Sequence, residues 1–149
     1  MKRFLSIITI LVALTAVATT GYSQCKNFAK LTCKPELDPY IHDGIFNATE
    51  LSEGESAELF KTFYSGQEYR IAVCGDAALP PILFEIMDSD RNVLFSNKDA
   101  DYAKVWDFKL EASQQLIVSI QVNTNDDKVG DLIAKGCVAV LIGFLNTDK

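Results

Sequence analysis

The sequence predicts an all-β fold: an antiparallel β-sandwich, jelly-roll-like, of seven to eight strands with a short N-terminal helix. Three observations carry that expectation. From Gly44 onward, apolar side chains recur at every second position, the period of a strand with one buried face. Turn-forming residues interrupt the alternation roughly every 8–15 residues, as in sandwiches and barrels. No stretch between these runs has the length and period of the crossover helix that a parallel sheet needs.

Residues 1–24 stand apart. Lys2 and Arg3 precede an almost unbroken apolar run over residues 4–18, and small or polar residues follow up to Gln24. This is the layout of a secretory signal peptide, and the run falls short of the ~20 residues that span a bilayer. Cleavage after Gln24 leaves residues 25–149 as a single domain, long enough for a real core. Ala16-Val17-Ala18 offers an earlier small-x-small cleavage point. Tyr22 and Gln24 place a ring and an amide where a lipidation signal has apolar and small residues, which argues against an anchor on Cys25. The expected location is periplasmic or extracellular, with no transmembrane segment after signal cleavage.

Residues 25–34 show no alternation and contain the helix formers Ala29, Lys30 and Leu31, with Pro35 as the stop. Weaker strand candidates follow at 45–51 and 57–64. Tyr69, Ile71 and Val73 then alternate with Arg70, Ala72 and Cys74. Pro80-Pro81 opens a strand in which Ile82, Phe84 and Ile86 form one face. Residues 93–96 make a short strand. Trp106, Phe108 and Leu110 mark the next, followed by Leu116, Val118, Ile120 and Val122, and finally by Val138, Val140, Ile142 and Phe144. Ser65-Gly66-Gln67-Glu68, Asp88-Ser89-Asp90-Arg91-Asn92 and Ala112-Ser113-Gln114 provide the turns between them.

Cys25, Cys33, Cys74 and Cys137 form no CxxC pair, and their spacings of 8, 41 and 63 residues match no common zinc motif. In an exported chain they read as a disulfide framework whose function is stability. A helical 25–34 segment separates Cys25 and Cys33 by ~12 Å along its axis, too far for them to pair with each other. Two arrangements then stand. Either the N-terminal segment covers the small-residue faces of the strands bearing Cys74 and Cys137 and bridges to both, or those strands bridge directly and Cys25–Cys33 closes a non-helical loop.

The strings Gly66-Gln67-Glu68-Tyr69-Arg70-Ile71-Ala72-Val73, Phe84-Glu85-Ile86-Met87-Asp88, Val93-Leu94 and Leu116-Ile117-Val118-Ser119-Ile120 resemble the bacterial pre-peptidase C-terminal type of β-sandwich. The resemblance covers residues 59–122, and the whole chain looks like a small exported bacterial protein. It implies the same sandwich fold and an accessory or binding role. That family trails a secreted protease, whereas this chain carries no catalytic domain and adds the four cysteines.

Twenty acidic residues face fourteen basic ones, giving a net charge of −6, or −8 without Lys2 and Arg3. That balance excludes nucleic acid as a partner, which asks for a basic face. Asp88-x-Asp90-x-Asn92 opens like a calcium loop but lacks the later glycine and the bidentate glutamate, so it reads as a β-turn. Residues 123–135 form the longest loop between strong strands and hold Asp126, Asp127 and Asp131; a solvated crossover is the plainer reading. Tyr40, Tyr64, Tyr102 and Trp106 are aromatic candidates, with Trp106 in phase with the core and Tyr102 the better exposed ring. His42 beside Asp43 lacks an accompanying nucleophile and reads as a surface turn histidine. Asn47-Ala48-Thr49 is a glycosylation sequon. The expectation is a non-enzymatic binding or accessory module for an envelope protein or a glycan, without cofactor or metal. A carboxylate-based hydrolase or a calcium-stabilised envelope protein is the alternative.

Overall fold

Among the described residues the alternating runs become nine antiparallel strands, paired as a nested ribbon. The computed structural model describes residues 20–124 and 133–145. The signal-peptide expectation for residues 1–19 and the aspartates at 126, 127 and 131 lie outside the described residues. The strands are β1 (Ile41–His42), β2 (Asn47–Ser52), β3 (Ser56–Phe63), β4 (Glu68–Gly75), β5 (Ile82–Met87), β6 (Val93–Ser96), β7 (Val105–Lys109), β8 (Gln114–Val122) and β9 (Lys135–Leu145). β2 pairs with β9, β3 with β8, β4 with β7 and β5 with β6. The β4–β9 and β5–β8 pairs assemble these into two sheets. The first has the order β2–β9–β4–β7, with β1 continuing the β2 edge along β9; the second has the order β3–β8–β5–β6. A nested ribbon rolled into two facing sheets is a jelly roll, as the alternation predicts. Eight strands fall where the sequence places them. The ninth, β1, is a two-residue pairing of Ile41 with Phe144 and His42 with Gly143.

The core lies between the sheets. The inward faces of β4 and β9 (Tyr69, Ile71, Val73, Val138, Val140, Ile142) meet Phe63, Phe84, Ile86, Leu116, Val118, Ile120 and Val122. The first sheet is covered on its other face too, which makes β4 and β9 apolar on both sides instead of half polar.

That cover is the N-terminal segment: α1 (Thr20–Phe28), one π-helical turn (Ala29–Cys33) and a 3-10 turn (Lys34–Leu37). Cys25, Ala29, Cys33 and Leu37 are buried at every fourth position. A 3.6-residue helix drifts off such a line, and the wider π turn restores it. The buried row sits on Ala72, Cys74, Ala139 and Leu141, the small-residue face of the first sheet. The helical path departs from the sequence expectation at both ends. It starts at Thr20, and it continues past Pro35, because Pro35 occupies the first turn of the 3-10 segment, where its missing N–H is not needed.

Two disulfides fasten this layer: Cys25–Cys137 and Cys33–Cys74, with Cα–Cα distances of 5.1 and 5.7 Å. A direct Cys74–Cys137 bridge is not the arrangement found, because the β4–β9 register sets Cys74 opposite Ala139, two residues away from Cys137. Gly143 lets the chain return beneath the layer, since a Cβ there would lie 2.8 Å from Tyr40 Cβ.

Candidate functional site

The four residues between β3 and β4 form a turn held from two directions. Gly66 takes a φ of +79°, a conformation that glycine adopts at little cost. The Gly66 amide donates to the Leu110 carbonyl (3.1 Å), tying the turn to the neighbouring β7–β8 connection. The Ser65 amide donates to Ser113 Oγ at 2.9 Å in the same connection. From the core side, the Tyr64 amide donates to Tyr69 Oη (3.1 Å), which itself donates to Gln67 Oε1 (3.1 Å). Tyr69 is fixed in turn by ring contacts with Phe63 and Phe108 at 5.0 and 5.7 Å. The product is a pinned turn between β3 and β4, carrying a Tyr64 residue that is 63% exposed. Such a turn loses little conformational entropy on docking, and an exposed tyrosine combines apolar area with a polar tip. The chemistry it offers is recognition.

A second feature runs along one side of the sandwich, where the edge strands β2 and β3 face each other across the interior. A cleft of about 280 Å³ opens between them, lined by Asn47, Thr49, Ala57 and Leu59 above Val118, Ile120, Val138 and Val140. The opposite side is sealed by Phe95, Trp106 and Phe108, stacked at 4.8 and 4.4 Å.

The residues singled out in the sequence scatter rather than converge. Asp88 Oδ1 accepts from the amides of Asp90 and Asn92, and Oδ2 from Asn92 Nδ2, each at 2.9 Å. The Asn92 side chain and these amides hold the Asp88 carboxyl below its usual range. This is a self-satisfied turn. Among the described residues, no group of three or more His, Cys, Asp or Glu is placed to hold a metal. Trp106 lies in the aromatic stack, and Tyr102 is half-buried instead of presenting an exposed ring. Tyr40 packs under the Arg70 guanidinium, 4.5 Å from its ring centroid. His42 is not a turn residue: it lies on β1 with its side chain 8% exposed, against Phe46, and Nε2 hydrogen-bonds the Ile45 carbonyl at 3.1 Å. Asn47 Nδ2 donates to the Val140 carbonyl, across the β2–β9 pair.

Two structural residues escape a sequence reading. Arg70 grips Asp107 through Nε and Nη2 (2.6 and 2.7 Å) and donates from Nη1 to the carbonyls of Glu36 and Asp38. It thereby clamps the end of the N-terminal layer onto the sheet, and the Asp107 carboxylate raises its pKa. Asn97, 1% exposed, accepts from the Phe84 amide and donates to the carbonyls of Ile82 and Ala103. The one hint available was an arginine on the strand face otherwise made of Ala72 and Cys74.

No model of a known protein family matches the chain, so the likeness to the pre-peptidase C-terminal type rests on the strands quoted above. No curated protein matches it either. Among solved structures, the chain is similar to the crystal structure of Aeromonas hydrophila PliG, a periplasmic lysozyme inhibitor of g-type lysozyme. The TM-score is 0.50 at 9% sequence identity, covering 72% of this chain and 89% of that one. At that identity the likeness is one of fold.

Proposed function

We propose that this protein is an exported, non-enzymatic β-sandwich that binds a partner protein through the turn at residues 64–67, and that the partner is an enzyme cleaving the bacterial cell wall. The observation that carries the reading is the turn itself: a tight turn pinned by four hydrogen bonds and carrying an exposed Tyr64. A rigid turn of this kind suits the concave substrate groove of a hydrolase, because docking orders almost nothing new. The fold likeness to a periplasmic lysozyme inhibitor supports the same direction. The test is lysis of a peptidoglycan suspension by g-, c- and i-type lysozymes with and without the purified protein. Inhibition of one type at one-to-one stoichiometry, weakened by about tenfold or more in Tyr64→Ala, is the expected result. Full lysis by all three types overturns the assignment.

Residues 1–24 direct export and are then removed, leaving 25–149 as one domain braced by its four cysteines. Cleavage after Gln24 trims α1 to its last turn and leaves the new N-terminus tied to β9 through Cys25–Cys137. A thioether-linked lipid needs the Cys25 sulfur that this disulfide already uses. The intact mass of the exported protein is expected to begin at Cys25, without acyl chains and with four thiols appearing only on reduction. An acylated mass rules out this route.

A further inference from the structure

We infer that the open edge of the sandwich, β3 together with the cleft beside it, accepts an extended cationic segment of a partner protein as an added strand. Strand β3 pairs with β8 in unbroken register from Ser56↔Gln121 to Phe63↔Gln114. It contains no proline, and it is the outermost strand of its sheet. A regular edge of this length presents backbone donors and acceptors at the spacing another strand requires, and natural edges usually carry a bulge, a proline or a cover to prevent it.

The interior behind that edge is open. Three of the inward positions here are short, Asn47 and Thr49 on β2 and Ala57 on β3, with Leu59 the longer one beside them. They leave the cleft floored by Val118, Ile120, Val138 and Val140. Beyond the cleft on β3, Lys61 Nζ pairs with Asp43 Oδ2 at 2.9 Å, and residues 53–55 connect β2 to β3. From Ala57 to Lys61, β3 runs about 14 Å. An added strand therefore sets two or three alternate side chains over the cleft, and branched aliphatic ones match its floor.

Charge selects the segment. Residues 43–61 hold Asp43, Glu50, Glu53, Glu55 and Glu58 against Lys61. Lys61, Arg91 and Lys135 pair with Asp43, Glu58 and Glu50, and the chain as a whole carries a net charge of −6. A basic strand is drawn to it, and an acidic strand is repelled. This inference does not depend on the turn at 64–67.

The experiment titrates the disulfide-bonded, isotope-labelled protein with a synthetic peptide of alternating lysine and valine, using alternating glutamate and valine as the control. The lysine peptide is expected to bind saturably and to protect alternate β3 amides from hydrogen exchange. Filling the cleft with Ala57→Met, or with Thr49→Leu from the opposite wall, weakens binding by about tenfold, the worth of one displaced aliphatic side chain. The melting temperature shows which of the two variants remains folded. Absence of binding, equal binding of the glutamate peptide, protection outside β3, or unchanged affinity in a folded cleft-filled variant each overturns the inference. Concentration-dependent dimerisation through β3 without peptide assigns the edge to a second copy and overturns it as well.

Discussion

Arg70 shows how one side chain couples two layers. Its guanidinium serves a carboxylate, two backbone carbonyls and an aromatic face at once. Lysine reproduces neither the bidentate grip nor the stacking. Arg70→Ala is expected to lower stability by roughly 2–3 kcal/mol, the range for charged hydrogen bonds left unmade. A urea midpoint that falls at unchanged slope measures it, and a shift below about 0.5 kcal/mol contradicts the clamp. Asp88 makes a prediction in pH. Hydrogen bonds in the folded turn hold its carboxyl below the ordinary value of 3.8, so its contribution is complete above that value and fades as pH falls through the folded pKa. The melting-temperature gap between the native protein and Asp88→Asn should be constant from pH 7 to about 5 and shrink below about pH 4. A gap independent of pH removes Asp88 from the acid response. Glu58, lowered in the same way by Arg91, follows the same sign.

At the scale of elements, the N-terminal segment is held by a buried row and two covalent ties rather than by helix propensity. Replacing Cys33 and Cys74 together by alanine removes one tie across 41 residues and should cost on the order of 2–4 kcal/mol. A thermal melt that matches the oxidised native protein refutes that role. Much of this level was legible in advance. Alternation marks five of the strands clearly, because each has a face on the core, and it marks those at 45–51, 57–64 and 93–96 more weakly. The small residues Ala72, Cys74, Ala139 and Leu141 mark a second covered face. The disulfide pairing was open until the β4–β9 register was known, since a shift of two residues separates a direct bridge from an impossible one. The π turn and the passage through Pro35 leave no periodic trace, and β1 is too short to show one. The turn at 64–67 is readable as a turn from Ser65-Gly66. Its bracing by Tyr69 and Ser113 comes from residues distant in sequence, so no local pattern announces it.

For the whole molecule, two sides of one sandwich differ in kind. Aromatic stacking seals the β6–β7 side, with Asn97 satisfying the backbone behind it. The β2–β3 side has short inward residues at Asn47, Thr49 and Ala57 and an open cleft. Surplus negative charge on this scaffold favours encounter with basic partners, and salt should slow that encounter more than it loosens the finished complex.

β9, the last strand among the described residues, is the one on which the rest depend. It pairs with β1, β2 and β4, supplies Val138 and Val140 to the core, and brings Cys137 to Cys25. During synthesis Cys25, Cys33 and Cys74 all emerge before Cys137 does. Only Cys33–Cys74 of the native pair of bridges can form in that interval. The Cys25 thiol waits, or enters a wrong bridge that must later be undone, until Lys135–Leu145 emerges. The same strand therefore both closes the first sheet and supplies the partner of that thiol.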